Sequence, residues 1–190
     1  MNALIQNSIS ESISVKQAIL TDETFLLNIE QAARMLVKTF QSKGKVLFCG
    51  NGGSAADAQH IAAELSGRFY MNRPPLYAEA LHVNSSYVTA VANDFGYDVV
   101  FARMVQAAGS PGDVLVALST SGNSHNILKA IEAAKDKGMA VIGFTGESGG
   151  KMAAICDVLL NVPSSDTPRI QESHILLGHI ICQYVEEALF

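Results

Sequence analysis

Four short apolar runs punctuate the chain: Val46-Leu47-Phe48-Cys49, Asp113-Val114-Leu115-Val116-Ala117-Leu118, Ala140-Val141-Ile142-Gly143-Phe144 and Val158-Leu159-Leu160-Asn161-Val162. They are continuous rather than alternating, the pattern of strands buried on both faces. Ala78 to Val83 predicts a fifth strand. Between the runs, the spacing predicts helices over 54–66, 97–108, 126–137 and 170–189. Residues 1–43 read as two further helices. In the second, Phe25, Ile29, Ala33, Leu36, Val37 and Phe40 form one apolar face. Thr21, followed by Glu23 and Thr24, offers cap chemistry at its start, and Gly44 is its expected stop. Strands alternating with helices imply a parallel sheet covered on both faces. The expected fold class is α/β, a doubly wound five-stranded parallel sheet with an N-terminal helical pair. No linker-like stretch divides residues 1–190, so one domain is expected, and no fixed-period repeat is visible.

Composition narrows the function classes. Charged residues make up only 16% of the chain and the formal net charge is -5. Typical soluble chains carry roughly 25% charged residues. The shortfall points to surface buried between subunits. An acidic balance argues against nonspecific nucleic-acid binding, which needs Lys and Arg against phosphates. No apolar run approaches the ~20 residues of a membrane helix. The segment Met1 to Ser14 lacks the basic start and apolar stretch of a signal peptide. Cys49, Cys156 and Cys182 form no CxxC pair, which fits buried free thiols in a reducing, cytoplasmic compartment.

In doubly wound folds ligands sit beyond the carboxyl ends of the strands. Two loops there carry chemistry. Gly50-Asn51-Gly52-Gly53-Ser54 runs from a buried strand into a helix. Its glycines permit close backbone approach, and the helix start offers unpaired N–H groups, together an anion site. Gly50-x-Gly52-x-x-Ala55 also fits a dinucleotide fingerprint, but the acid expected ~20 residues on is missing, Glu79 being too distant. Ser119-Thr120-Ser121-Gly122-Asn123-Ser124 follows another strand. Its hydroxyls at a helix start suit a phosphate monoester, whereas Ser124 as a simple cap would use only one of them. No nucleoside-triphosphate P-loop is present.

His60 and Glu64, four apart, share a helix face and could serve as metal ligands or as an acid/base pair. The final helix carries Gln171, Glu172, His174 and His179. Gln171 and His179 are separated by ~12 Å of helical rise, which makes one shared ion demanding for one copy of the chain and points to a site built by two. His174 faces away from His179 and is expected in packing. Glu172 is expected to serve the helix start. Arg68 and Arg73 are expected to be exposed and solvated.

The two loops, the intervening Asn93-Asp94 and the N-terminal helices, in this order and at these separations, resemble the SIS (sugar isomerase) domain. Within it the chain is similar to the phosphoheptose isomerases. The resemblance implies a flavodoxin-like strand order. It implies aldose–ketose isomerisation of sedoheptulose 7-phosphate to D-glycero-D-manno-heptose 7-phosphate through an enediol, feeding ADP-heptose synthesis for lipopolysaccharide. It assigns Zn2+, one per subunit, to His60, Glu64, Gln171 and His179, with Glu64 as base and His179 as its acid/base partner. It gives substrate contacts to Asn51, Gly52, Gly53, Glu64, Asn93, Asp94, Ser119, Thr120, Ser121, Ser124 and Gln171. It implies a homotetramer with sites shared between subunits, residues 1–43 packing on the core and on neighbours. Some members carry an Asp where this chain has Pro168, with Asp166 and Thr167 beside it. The competing expectation is a noncatalytic SIS-domain protein that binds the bacterial replication initiator. Such relatives lack the counterparts of Glu64 and His179, both present here.

Overall fold

The computed structural model describes residues 3–190. Two helices, α1 (Ala3–Thr21) and α2 (Glu23–Gln41), precede β1 (Val46–Cys49) and α3 (Gly53–Ser66). Then come β2 (Ala78–Ala80), α4 (Ser85–Phe95), α5 (Val100–Ala108), β3 (Val114–Leu118), α6 (His125–Asp136), β4 (Ala140–Thr145), β5 (Val158–Asn161) and α7 (Thr167–Leu189). All pairings are parallel and the strand order is β2-β1-β3-β4-β5. The chain therefore reverses its direction of winding between β1 and β3, and the loops after those two strands flank the crevice where such folds bind ligands.

Alternate residues of β1, β3 and β4 feed two cores. Val46, Phe48, Val116 and Phe144 pack with α2, α3 and α7. Leu47, Cys49, Leu115 and Ala117 pack with α5 and α6 on the other face. Burial on both sides is why these strands read as unbroken apolar runs.

Several local expectations shift. The start of α2 is capped by Asp22, whose Oδ1 accepts from Phe25 N–H at 2.9 Å. Thr21 instead bonds back to Gln17 O and closes α1. Left-handed backbone after α2 falls on Lys43, at φ 61°, rather than on Gly44. The fifth strand stops at Ala80, although Leu81 N–H still donates to Phe48 O. Residues 85–95 form a helix in place of the expected turn at Asn93-Asp94; Tyr87, Val88, Val91 and Ala92 turn one face to the α5–α6 core, with Val91 alone fully buried. The predicted helix over 97–108 breaks into a 3-10 turn, Tyr97–Val99, followed by α5. Helix α7 begins at Thr167, earlier than its apolar pattern indicates, since Pro168 is acceptable in a first turn.

Two charged residues depart from expectation. Arg73 is buried, not solvated, and its Nε donates to Glu186 Oε1 at 2.8 Å with both side chains 1% exposed. Its other nitrogens donate to the carbonyls of Glu64, Leu65, Gly67 and Pro74. Glu186 also accepts from the N–H groups of Phe69, Tyr70 and Met71. This network fastens the loop after α3 to the far end of α7. Glu172 does not serve the helix start. It accepts from Ser12 Oγ at 2.8 Å and pairs with Arg169 at 2.6 Å, tying α1 to α7.

Candidate active site

The first loop turns tightly because Gly50 packs against the backbone of Ser54. Gly52 adopts φ 54°, and α3 starts at the exposed Gly53. With no side-chain cap there, the first N–H groups of α3 remain available to an anion. In the second loop Ser124 occupies the N-cap position of α6, yet its hydroxyl makes no cap bond. It lies 3.1 Å from the buried Ser119 hydroxyl instead. Ser121 Oγ accepts from Asn123 N–H at 3.2 Å, and Asn123 Oδ1 accepts from Lys151 N–H. Thr120 and Ser121 line a cavity of about 420 Å³ that also reaches Glu147, Ser164 and Thr167. The loop following Ser164 thus faces the hydroxyl loop, with Thr167 beside the position of Pro168.

The two loops are joined. Asn51 Nδ2–H donates to Asn126 Oδ1 at 2.9 Å and Asn126 Nδ2–H donates to Asn51 Oδ1 at 2.8 Å. Tyr97 OH adds a bond to Asn51 Oδ1 at 3.2 Å. Asn93 and Asp94 sit in the last turn of α4 rather than in a turn, exposed, with Asn93 Nδ2–H donating to Asp94 Oδ1.

Below the first loop, α3 and α7 bring His60, Glu64 and His179 together within one chain. His60 Nε2 lies 3.1 Å from Glu64 Oε1 and 3.0 Å from His179 Nε2. One ligand atom from each of the three falls within 4.8 Å of the others, a group able to hold a metal ion. The helices approach closely because residue 178 is glycine: a methyl group there would stand 2.7 Å from Ile61 Cγ1. Gln171, two turns before His179, has its amide against Gly53, where a methyl group would stand 2.6 Å from Nε2. Phe69 packs its ring on the His179 imidazole at 5.5 Å between centroids. Glu186, which accepts from Phe69 N–H, therefore sets one wall of this cluster.

Asp57, one turn before His60, has a buried oxygen with no hydrogen-bond partner. Burial pushes its carboxyl up, and the charge of His60 acts in the opposite direction. Its i, i+3 spacing from His60 was a signal the sequence did offer. Asn126, Tyr97 and Phe69 had none, since each reaches the site through tertiary packing. His174 is fully buried. Its Nε2 donates to Thr145 O at 3.1 Å, and burial lowers its pKa to about 4 against that bond, so it packs as a neutral core residue.

The SIS domain family model matches residues 11–146. A protein named phosphoheptose isomerase from Aneurinibacillus thermoaerophilus is 54% identical over 190 residues, covering 100% of this chain and 96% of the relative. Another of that name from Rhodospirillum rubrum is 60% identical over 161 residues, covering 85% of this chain and 86% of the relative. The solved structure of phosphoheptose isomerase from Neisseria gonorrhoeae superposes with a TM-score of 0.91 at 46% identity, covering 96% of this chain and 97% of the other. Similarity at this level along nearly the full length means that the chain belongs to the SIS domain family and, within it, to the phosphoheptose isomerases.

Proposed function

We propose that the chain converts sedoheptulose 7-phosphate to D-glycero-D-manno-heptose 7-phosphate, as an aldose–ketose isomerase. The observation that carries this is the His60–Glu64–His179 cluster lying on the two helices beneath the joined glycine and hydroxyl loops. The phosphate is read by the second loop, where Ser119, Ser121 and Ser124 face the N-terminus of α6. The first loop supplies backbone N–H groups through Gly52 and Gly53, and Asn93, Asp94, Thr120 and Gln171 are the remaining candidates for sugar hydroxyls. Glu64 takes the proton from the carbon beside the carbonyl, which gives the enediol. His179 moves the proton at oxygen.

The donor set fits a zinc ion. Two imidazoles and a carboxylate converge, with one ligand atom from each within 4.8 Å of the others, and imidazole and carboxylate are ordinary zinc ligands. His60, Glu64 and His179 would hold it, with Gln171 the fourth ligand that the family resemblance implies. Bound zinc would polarise the substrate carbonyl.

Helix α1 offers a surface for the homotetramer with shared sites that the family resemblance implies. Ile5, Ile9 and Ile13 form an exposed stripe at i, i+4 spacing, each more than half exposed, and Leu20 is 64% exposed. Among the described residues no helix is long and apolar enough to cross a membrane, and burial against another subunit accounts for the stripe. Light scattering checks it, and a monomer contradicts it.

The test of function is direct. Purified protein is incubated with sedoheptulose 7-phosphate, with and without chelator, and the sugars are followed by NMR. Appearance of the aldoheptose phosphate supports the isomerase. Well-folded, metal-replete protein that converts nothing sinks it.

A further inference from the structure

We propose that Arg73 and Glu186 are positioning residues for the chemical step: their buried ion pair sets where Glu64 and His179 stand, through the last turn of α3 and the ring of Phe69. The proposal rests on the isomerase reading of that cluster. Glu64 lies in the final turn of α3, which ends at Ser66. The last four carbonyls of a helix have no partner within it, and helix ends fray. A base carried there needs a hold from outside the helix. Arg73 supplies one. Its Nη2–H donates to Glu64 O at 2.8 Å, and its Nη1–H donates to Leu65 O at 2.6 Å and to Gly67 O at 3.3 Å. A guanidinium is always charged and its planar fork spans several acceptors at once. Its charge also suits the negative end of the helix dipole.

A buried cation needs a counter-charge, and Glu186 provides it at 2.8 Å from Arg73 Nε. Glu186 stands two turns beyond His179 on α7, on the same face of the helix. Besides Arg73 it accepts from the N–H groups of Phe69, Tyr70 and Met71, at 2.9, 2.8 and 3.0 Å. These bonds fix the backbone that carries the Phe69 ring, which packs on the His179 imidazole at 5.5 Å between centroids. One ion pair thus reaches both members of the acid/base pair: Arg73 through the main chain of Glu64, Glu186 through Phe69. The hydroxyl loop that faces the N-terminus of α6 makes none of these bonds. Loss of the ion pair therefore misplaces base and acid, which falls on kcat and largely spares KM.

The experiment compares R73K, E186Q, the double variant R73M/E186Q and V105A with wild type for kcat and KM on sedoheptulose 7-phosphate, each well below its own melting transition. R73K and E186Q are expected to lose roughly tenfold in kcat with little change in KM, the lower end of what groups behind metal ligands contribute, and to weaken zinc affinity by a similar factor in a chelator competition. R73M/E186Q strands no charge, so it melts later than E186Q, yet with no fork on Glu64 O its kcat stays low. Val105 is fully buried in α5 on the opposite face of the sheet, so V105A weakens the fold and keeps kcat. A kcat that recovers in R73M/E186Q along with its melting temperature, or that falls in V105A as in E186Q, means that the pair acts through stability alone and overturns the proposal. So does an unchanged kcat in both R73K and E186Q. R73K keeps the buried charge paired, so it tests positioning even where R73M/E186Q fails to fold.

Hydrogen–deuterium exchange separates this from the isomerase reading. In the ligand-free protein, R73K and E186Q should speed exchange in the 63–71 segment beyond what V105A does at the same distance below its melting temperature. Equal rates in that segment refute the positioning role whether or not the wild type turns over sugar. Wild-type inactivity refutes the isomerase reading and leaves the exchange result to decide whether the ion pair holds the last turn of α3 in place.

Discussion

Replacing Glu186 with Gln isolates what the buried network after α3 contributes. The carboxylate accepts from Arg73 and from three backbone N–H groups while 1% exposed. Burial pushes its pKa up, but the bonds from Phe69, Met71, Tyr70 and Arg73 together outweigh that and hold it below the ordinary carboxylate range. Glu186→Gln keeps the shape and strands the Arg73 charge. Removing one partner of a buried pair costs ~3–5 kcal/mol. Arg73 retains four carbonyl partners, so the expected loss is near the lower end, about 3 kcal/mol. Against a stability of ~5–15 kcal/mol this is large. In a chain of this length it lowers Tm by about 6–12 °C, measured by calorimetry at one protein concentration.

The same carboxylate predicts a pH dependence. Its folded pKa lies below its unfolded value, so its stabilisation is present above ~4.3 and fades as pH falls through the folded value. Urea melts of wild type should lose stability in that acid window, and Glu186→Gln should lack that component. A variant within 1 kcal/mol of wild type at pH 7 refutes the reasoning, because that is what an exposed pair such as Lys135–Asp157 contributes.

Four further outcomes are expected. Glu64→Gln keeps its melting transition but loses at least ~10²-fold in kcat, the usual size of a general-base contribution, and near-normal turnover removes Glu64 from that role. Ser119→Ala and Ser124→Ala raise KM more than they lower kcat, the outcome expected of the phosphate contacts proposed for their hydroxyls, and unchanged KM in both refutes this. Zinc added to metal-stripped protein binds near one ion per chain by elemental analysis, and His60→Ala or His179→Ala lowers that stoichiometry, whereas equal retention contradicts the cluster. Finally, His174 folds with its pKa lowered to about 4, so its unfolded form binds the extra proton first. Stability is expected to fall as pH drops from ~6.5 towards that value, and His174→Phe flattens this limb; an unaltered limb argues against it.

The parts of this molecule visible in its sequence are those governed by local pattern. Both-face burial wrote β1, β3 and β4 as apolar runs, the edge strand β5 buries one face fully and the other in part, and glycine or hydroxyl chemistry at helix starts marked the two loops. Helix α4 carries a short stripe, Tyr87, Val88, Val91 and Ala92, but Asn93-Asp94 before Gly96 reads as a turn and hides it. Arg73 was misjudged for the opposite reason: its partner lies 113 residues away, and nothing near it in sequence reports burial. His60 and Glu64 were paired by helical spacing. That His179 joins them in the same chain depends on how α3 and α7 lie together, which composition and periodicity do not encode. Asn51 shows a third case. Its residue type was noticed, but its partners, Tyr97 and Asn126, were set by topology.

Gly178 lies within the longest helix of the protein, where glycine costs about 1 kcal/mol relative to alanine. Helix propensity alone favours replacing such a residue. Here the added methyl group would meet the side chain of Ile61, which is 2% exposed and has little freedom to yield. The helices that carry His60 and His179 would have to spread, and the span between the two imidazoles would widen with them. The ~1 kcal/mol that alanine would return to the helix is outweighed by the ~1–3 kcal/mol that overpacking the seam costs, so a change at residue 178 loosens the fold and the metal-binding cluster together.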